Sequence, residues 1–367
     1  MTSKRKICFI LPHFFLEYSG GAEIQCYYLA QELLSRGWEV HYLRESDKTG
    51  TEVMDGIQVH ALPRRKSYLK WMNAAALRAK MQEIKADVWY NRATVSYLHL
   101  VTRFARQTGG QVAFAFSRDS QFSYQEHRDN YARAYMKVFA TVDLFMFFRA
   151  LRQADHILVQ TLKQQELLRS RLQLSGTHIY NAHPLEEAQS PAPARQPHIL
   201  WIARIKTFKH PEYFIEIARR LRETPYQFFL IGKLEDTQLR GVLETAAEEL
   251  PHLHIMGGLT SEEVHEALSQ ARILVNTSDF EGFSNTFIEA WLRGVPVASL
   301  RVDPDGMISR EGLGLIEPDL DKVSAAIQHL MEDNARWEQL SGTCESFARN
   351  HFDIRRAADR LEATLIP

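Results

Sequence analysis

Two glutamates in the second half of the chain are spaced so that both can reach one ligand. The stretch Glu281-Gly-Phe-Ser-Asn-Thr-Phe-Ile-Glu289 follows an apolar run, 273–276, and has the pattern of a helix that begins near Asn285. Ser284 is a plausible N-cap, and the free N–H groups of a first helical turn can hold a phosphate or a hydroxyl. Glu289 lies one turn beyond Asn285 on the same face, where a carboxylate can accept two hydroxyl hydrogens of a ribose. The alternative is a helix start with two incidental glutamates.

Two cations occur in an earlier loop. Arg204 and Lys209 follow the apolar run 198–203. An arginine fork and a lysine point charge together suit a departing diphosphate, and preorganised cations lower a barrier where negative charge develops. Taken alone, the loop could equally be a solvated basic segment. We expect Lys206, which lies between the two cations, to be exposed.

Both halves of the chain alternate short apolar runs with helical patterns. In the first half these runs extend from 6–11 to 155–160, and in the second half from 198–203 to 297–300. Such alternation predicts parallel sheets covered by helices on both faces, which is the doubly wound α/β class. In that class ligands bind beyond the carboxyl ends of the strands. Both loops described above follow predicted strands, so the sequence places them at such an edge.

A proline-rich connector separates the two halves. Residues 186–197 read EEAQSPAPARQP, with three prolines and no periodic apolar residues. The length of 367 residues and the hydrophobic content of 45% are enough for two cores. We therefore predict a first domain over 1–187 and a second domain over 188–352.

The overall composition limits the classes of binding partner and the cellular compartment that we expect. The chain has 44 Lys and Arg against 45 Asp and Glu, which gives no electrostatic reason for a nucleic-acid partner. Cys8, Cys26 and Cys344 are too few and too scattered for a disulfide framework or a zinc cluster, so we expect a reducing cytoplasm. The apolar run at 7–11 ends at Pro12 without a cleavage site, so we interpret it as a buried strand and not as a signal peptide.

No metal or cofactor is expected. Asp303-Pro-Asp305 has the letters of a DxD metal motif, but the proline and the following Gly306 favour a turn. The Ser, His and Cys residues show neither a nucleophile elbow nor zinc spacing.

The stretch EGFSNTFIEAWLRGVPV resembles the E-x7-E signature of the family-4 retaining glycosyltransferases of GT-B architecture, and the loop from Arg204 to Lys209 resembles the family's Arg-x4-Lys element. The resemblance covers nearly the whole chain and is strongest over 203–296. It implies two Rossmann-like domains that face a central cleft, with the acceptor on the first domain and a nucleotide-diphosphate sugar on the second. It also implies a C-terminal helix over 353–367 that returns to the first domain.

The resemblance also implies roles for particular residues. Arg204 and Lys209 would stabilise the diphosphate, Glu281 would approach the hydroxyls of the donor sugar, and Glu289 would bind the ribose. Backbone amides from Gly282 to Asn285 would contact sugar and diphosphate. The remaining donor-site candidates are of three kinds: the loop glycines Gly20, Gly21 and Gly232, the residues Ile255 and Met256 that would flank the base, and Phe283 and Ser284 of the amide segment.

The chain departs from the family's pattern in the first domain. Many relatives carry a His-Asp pair after a strand there, whereas this chain has Ser117-Arg118-Asp119. Asp119 is the catalytic candidate at this place, since it could hydrogen-bond an acceptor, and Arg118 could supply charge. In a front-face retaining transfer the leaving phosphate can itself take the acceptor proton. His13, His127 and His183 stay open as alternatives for a group that assists.

The resemblance thus implies a retaining, metal-independent hexosyltransferase that moves a sugar from a UDP- or GDP-sugar to a glycan or lipid-linked acceptor, in cell-surface polysaccharide or glycoconjugate synthesis. The alternatives are a GT-B sugar-nucleotide epimerase and a non-catalytic sugar-nucleotide-binding scaffold.

Two segments leave open a peripheral contact with the inner face of the cell membrane. Residues 64–80 are basic and aromatic, and 135–151 are apolar. The alternatives to membrane contact are a solvated helix face for the first segment and a core helix for the second. The sequence does not define the oligomeric state.

Overall fold

The computed structural model describes residues 4–17, 20–48, 50–65, 67–92, 94–123, 134–185 and 195–366. The chain forms two compact units. The first combines Met1–Pro184 with Ile354–Pro367, and the second is Leu185–Asp353. The boundary between them lies a few residues before the one that the proline-rich connector predicts.

The first unit is built on an eight-stranded sheet with the order β3-β4-β2-β1-β5-β6-β7-β8. All neighbouring strands are parallel except β3 and β4, which form an antiparallel hairpin at one edge. The strands are β1 (Lys6–Ile10), β2 (Glu39–Ser46), β3 (Thr51–Met54), β4 (Ile57–Pro63), β5 (Val88–Arg92), β6 (Gln111–Ala115), β7 (His156–Val159) and β8 (Thr177–His178). The sequence analysis did not predict the β3–β4 hairpin.

Helices cover both faces of this sheet. They are α1 (Gly21–Ser35), α2 (Ala74–Ile84), α3 (Val95–Thr108), α4 (Ala134–Leu151), α5 (Leu162–Leu172) and the C-terminal helix (Ile354–Leu365). One core lies under α2, α3 and α4, and the other lies under α1 and the C-terminal helix. Arg36 at the end of α1 bonds both Asp359 and Glu362, each at 2.6 Å, so a charged contact accompanies the apolar packing of the C-terminal helix.

The second unit is built on a six-stranded parallel sheet with the order β11-β10-β9-β12-β13-β14. Its strands are β9 (His198–Ile202), β10 (Gln227–Ile231), β11 (Leu253–Gly257), β12 (Ile273–Asn276), β13 (Val297–Ser299) and β14 (Gly314–Ile316). Its helices are α6 (Pro211–Arg220), α7 (Arg240–Glu249), α8 (Ser261–Gln270), α9 (Asn285–Leu292), α10 (Met307–Glu311), α11 (Leu320–Glu332) and α12 (Asn334–His351). The predicted doubly wound α/β class is therefore confirmed.

Local signals explain where several helices of the second unit begin. Thr260 and Glu263 form a capping box at the start of α8, in which each side chain accepts a hydrogen bond from the other residue's backbone N–H. Pro211 occupies the first turn of α6, where its missing N–H costs nothing. α7 is preceded by a separate 3₁₀ turn, Thr237–Leu239.

The strand order defines a switch point between β9 and β12. From β9 the chain moves outward through β10 to β11, and it then returns to the other side of β9 as β12. The loops after β9 and β12 thus diverge at the carboxyl edge of the sheet, which is where doubly wound folds bind ligands. No helix among the described residues is long and apolar enough to span a bilayer.

Candidate functional site

The loops that leave the switch point are joined by an ion pair. Lys209, after β9, bonds the carboxylate of Glu281, after β12, and their side chains are only 14% and 15% exposed. Ser278 Oγ donates to the same carboxylate oxygen at 2.9 Å, and Asn276 Nδ2 lies 3.5 Å from it. The end of β12 thereby fixes the orientation of Glu281, and the carboxylate in turn fixes the lysine.

A second set of contacts fixes the backbone of the Lys209 loop. Thr277 Oγ1 donates a hydrogen bond of 2.6 Å to the carbonyl of Lys209. The same hydroxyl accepts a hydrogen bond of 2.8 Å from the indole of Trp201, which is fully buried on β9. A buried indole N–H requires an acceptor, so these two hydrogen bonds belong to the protein core. No spacing in the sequence indicates Thr277 or Trp201.

Arg204 lies on the exposed side of the same loop. Its guanidinium is 3.3 Å from Glu235, and Lys206 bonds the other oxygen of that carboxylate at 2.8 Å. Burial opposes ionisation of Glu235, but the bonds to Lys206 and Arg204 outweigh it and lower the pKa of the carboxyl. Lys206 is 27% exposed and paired, so the expectation that it is an exposed cation is wrong. Nothing in the sequence links Glu235 to this loop.

The helix that carries Glu289 begins where the sequence predicts. Ser284 occupies the N-cap position of α9 in an extended conformation, although its side chain makes no capping hydrogen bond. Glu289 follows one turn later and is partly buried. Burial raises the pKa of Glu289 to about 7, while the charge of Arg293 acts in the opposite direction. Near neutral pH this side chain therefore exchanges between an acceptor-only carboxylate and a carboxylic acid that can also donate.

The strand β10, which lies beside β9, is followed by a glycine that no other residue can replace without a clash. A Cβ on Gly232 would lie 1.7 Å from the carbonyl oxygen of Ala203. The N–H of Gly232 donates to the carbonyl of Gly257 at 2.7 Å, so the ends of β9, β10 and β11 converge here. On β11, Ile255 packs against the core and Met256 is 46% exposed.

The first unit presents the Gly20-Gly21 loop at the start of α1. Gly20 is the N-cap residue with an extended backbone (φ −112°, ψ 154°), and Gly21 is the first helical residue. Neither position requires a glycine for its backbone conformation, because neither residue lies in the left-handed region. Gly20 is buried and Gly21 is exposed.

Asp119 lies on a 3₁₀ turn, Asp119–Phe122, that follows β6. Its carboxylate is 2.7 Å from Lys163 and accepts a hydrogen bond of 3.2 Å from Gln164. Both partners belong to the start of α5, so Asp119 also anchors this turn to that helix.

The histidine alternatives differ in their surroundings. Burial lowers the pKa of His13, and the charges of Arg64 and Lys70 add to this, which favours the neutral ring. His183 is buried, with its ring 5.0 Å from that of Tyr28. His127 lies outside the described residues.

The carboxylate of Asp303, in the DxD-like stretch, has a local structural role. Asp303 accepts hydrogen bonds from the backbone of Ile308 at 2.8 Å and from the hydroxyl of Ser309 at 2.6 Å. It thereby ties the turn at Pro304–Gly306 to the first residues of α10. Within the described ranges, no group of three or more His, Cys, Asp or Glu side chains is arranged to hold a metal ion.

Similar solved structures define the class of fold. A sucrose-phosphate synthase from Thermosynechococcus elongatus has a TM-score of 0.79 at 18% identity, covering 98% of each chain. The Anabaena protein HepE, solved with UDP-glucose, has a TM-score of 0.73 at 17% identity, covering 98% of this chain and 99% of that one. The fold is that of the GT-B glycosyltransferases, as the resemblance implied.

Family models then give the family. The model described as Glycosyltransferase Family 4 matches residues 19–187, and the model described as Glycosyl transferases group 1 matches residues 196–333. Together they span most of both units. The chain belongs to the family-4 group of GT-B glycosyltransferases, and the resemblance drawn from the E-x7-E stretch is confirmed.

A characterised relative is similar over part of the chain. An MMP alpha-(1->4)-mannosyltransferase of Mycolicibacterium hassiacum is 30% identical over 136 residues. The match covers 34% of this chain and 31% of the mannosyltransferase.

Proposed function

We propose that the chain transfers a hexose from a UDP- or GDP-sugar to a glycan or lipid-linked acceptor, with retention of the anomeric configuration and without a metal ion. The observation that carries this proposal is the Lys209–Glu281 pair at the switch point of the second unit. The cation suits the diphosphate of a nucleotide sugar, and the carboxylate suits the hydroxyls of its sugar. The mannosyltransferase relative supports transfer of a hexose, and the UDP-glucose bound by HepE supports a nucleotide-sugar donor.

The cations act on the leaving group. Lys209 is fixed by its carbonyl bond to Thr277 and by Glu281, so its ammonium is preorganised for a diphosphate. Arg204 is partly exposed and adds a planar fork that can bond two phosphate oxygens. The N–H groups at the start of α9 offer further donors to the same anion. Cationic stabilisation from side chains takes the place of a metal ion in this proposal.

The transfer itself requires one bond to form as another breaks. The bond between the anomeric carbon and the diphosphate oxygen breaks, and the acceptor oxygen bonds to the same face of the sugar. The acceptor's proton passes to the departing phosphate oxygen, so no protein nucleophile is needed. Glu281 accepts hydrogen bonds from hydroxyls of the donor sugar and holds the ring in place. Asp119 remains the candidate for orienting the acceptor hydroxyl.

A basic and apolar face of the first unit suits an acceptor at a membrane surface. Exposed apolar side chains cluster on α4 and on the 3₁₀ segment Ser67–Asn73, which packs against it: Trp71, Met72, Val142 and Phe145. Asp143, the acidic residue of α4, is instead turned inward to Ser96. Arg149 and Arg152 are exposed at the end of this helix. Cationic and apolar groups together favour contact with the anionic headgroups of an inner leaflet.

Thermal-shift measurements with UDP, GDP and ADP test the donor site. One nucleotide should raise the melting temperature of the chain, and Arg204→Ala and Lys209→Ala should abolish that rise, because bound ligand stabilises the folded state. Arg240→Ala removes a solvated arginine from α7 and should keep the wild-type response. If no nucleotide stabilises the folded chain at about millimolar concentration, the proposal is wrong. An isomer formed from donor alone would favour the epimerase.

A further inference from the structure

The residue after Lys209 has a strained backbone. His210 adopts φ 49° and ψ 57°, in the left-handed region, between the 3₁₀ turn Thr207–Lys209 and the start of α6. Residues other than glycine seldom adopt this conformation, although histidine does so more often than most. Backbone strain of this kind persists where surrounding contacts determine the conformation.

Both nitrogens of the His210 ring contact carboxylates. Nε2 lies 2.7 Å from Asp279 Oδ2, and Nδ1 lies 2.6 Å from Glu212 Oε1. An ionised carboxylate can only accept, so both bonds exist together when the ring donates from both nitrogens. A ring that does so is an imidazolium cation.

Asp279 connects this ring to the loop that carries Glu281. It lies after β12, and its own N–H donates to the carbonyl of Phe208 at 3.1 Å. The loop before Lys209 and the loop before Glu281 are thus joined twice, once through the backbone and once through the imidazole of His210.

Charged and aromatic groups complete the surroundings of the ring. Arg301, after β13, bonds the second oxygen of Asp279, and its guanidinium lies 5.7 Å from the ring centre of Tyr213. Tyr213 stacks on His210 with ring centres 4.7 Å apart and an angle of 13°. The groups that face the imidazole are therefore Glu212 and Tyr213 from α6, Asp279 from the loop after β12, and Arg301 behind that carboxylate.

We propose that His210 is a positioning residue for the donor: its imidazolium ties the loop that carries Lys209 to the loop that carries Glu281, so that both side chains meet the diphosphate sugar in one geometry. This inference rests on the proposed donor site. His210 itself need not touch the donor, because it acts through the two loops that it joins.

The two bonds to carboxylates make the positioning role of His210 dependent on pH. Burial lowers the pKa of His210, but the bonds to Asp279 and Glu212 outweigh it and raise that pKa above its ordinary value. The bond to His210 lowers the pKa of Asp279 correspondingly. The connection is complete below the ordinary histidine pKa and is lost as the pH rises through the raised value. The neutral ring keeps one N–H, so one carboxylate loses its bond.

Nucleotide affinity measured by calorimetry over a range of pH tests the inference. Each variant is compared with the wild-type chain at the same pH, because Glu289 titrates in all of them and its effect cancels in the ratio of affinities. The wild-type affinity for the nucleotide that binds, divided by that of His210→Asn, should fall roughly 3- to 10-fold between about pH 6.5 and about pH 9.5, as expected for loss of a partly exposed charged bond. Asparagine tolerates the left-handed backbone of residue 210, and Asp279→Asn should show the same change of this ratio with pH.

A matched control is available in the same unit. His252 bonds the carbonyl of Ala218 at 3.0 Å, away from both loops, so His252→Asn should keep the wild-type pH profile. If the wild-type chain binds nucleotide and both loop variants retain its pH profile, His210 has no positioning role while the donor site stands. If the wild-type chain binds none of the nucleotides at any pH, the donor site and this inference both fail.

Discussion

The carboxylate of Glu281 has three protein partners before it meets any substrate: Lys209, Ser278 and Asn276. Such a group is preorganised, because its orientation is determined by the strand end and by the opposite loop. The lysine gains a fixed position in the same way. The chemistry proposed for this site therefore depends on the pair and on neither residue alone.

Removal of the lysine tests the pair. Lys209→Ala leaves Glu281 largely buried without its cation and removes charge from the leaving group, so turnover at saturating donor should fall about 100-fold or more. The free energy of unfolding should decrease by about 1–3 kcal/mol in urea titrations, because the partner is left poorly satisfied. Lys209→Arg keeps the charge and should recover part of the stability. An unchanged turnover in Lys209→Ala would contradict the role assigned to the pair.

The raised pKa of Glu289 predicts a second measurable effect. Between the ordinary glutamate pKa and about 7, the folded state holds a proton that the unfolded state releases, so stability falls as the pH rises through this window. Glu289→Gln should flatten this trend by about 1–2 kcal/mol, with partial exposure taken into account. Urea unfolding at about pH 5 and about pH 8 measures it. Equal slopes in the two proteins would show that Glu289 ionises normally.

At the scale of residues, the sequence predicts groups with distinctive spacing and misses those that meet through the fold. Lys209 and Glu281 are identified because each lies in a recognisable stretch after a strand. His210, Thr277 and Glu235 carry no such pattern, and only the parallel pairing of β9 and β12 brings the first two to the site. Their roles follow from tertiary contacts, which a single sequence does not encode locally.

At the scale of elements, buried strands are predicted well and weakly apolar elements are not. β12 has the bounds that its apolar run predicts. The hairpin of β3 and β4 was missed, although Asp55 and Gly56 at its turn, with φ 48° and 79°, form a dipeptide typical of such turns. α12 was missed because it buries only Trp337, Cys344 and Ala348 along its length and therefore shows little apolar periodicity.

Because three strand ends converge at Gly232, substitution of this glycine should lower the stability of the second unit. Gly232→Ala places a methyl group against the carbonyl of Ala203, so the ends of β9 and β10 must separate, and stability should fall by about 2–4 kcal/mol. Gly241→Ala is the matched control, since it lies in α7 with open space around it and should stabilise by about 0.5–1 kcal/mol. Comparable urea midpoints for the two variants would show that the predicted clash is relieved without cost.

At the scale of the whole molecule, the two units have different relations to the family signature. The second unit carries the signature residues, and the side chains that contact them lie on strands and loops of the same unit. The first unit matches the family over residues 19–187, but it carries Ser117-Arg118-Asp119 where many relatives have a His-Asp pair. Acceptor choice is therefore the property that the sequence predicts least, because it depends on a few side chains in variable loops.

Vesicle sedimentation tests the proposed membrane-facing surface of the first unit. The chain should sediment with vesicles that contain anionic lipid and much less with purely zwitterionic ones, and added salt should weaken the binding. The double substitution Trp71→Ser and Phe145→Ser should reduce sedimentation roughly 10-fold, since two large apolar side chains leave the interface. Val53→Ser alters an equally exposed apolar residue on β3 and should have no effect. Equal binding by the double variant would assign the membrane contact elsewhere or exclude it.

The most direct test of the central claim is the anomeric configuration of the product formed from a UDP- or GDP-sugar in the presence of a chelator. The donor that stabilises the chain is incubated with glycan and lipid-linked acceptors, and the new linkage is analysed by proton NMR. We predict an α-linked product from an α-linked donor, formed without metal and lost in Lys209→Ala and Glu281→Gln. A product of inverted configuration, or turnover that persists in both variants, would contradict the assignment of Lys209 and Glu281 as the centre of a retaining transferase.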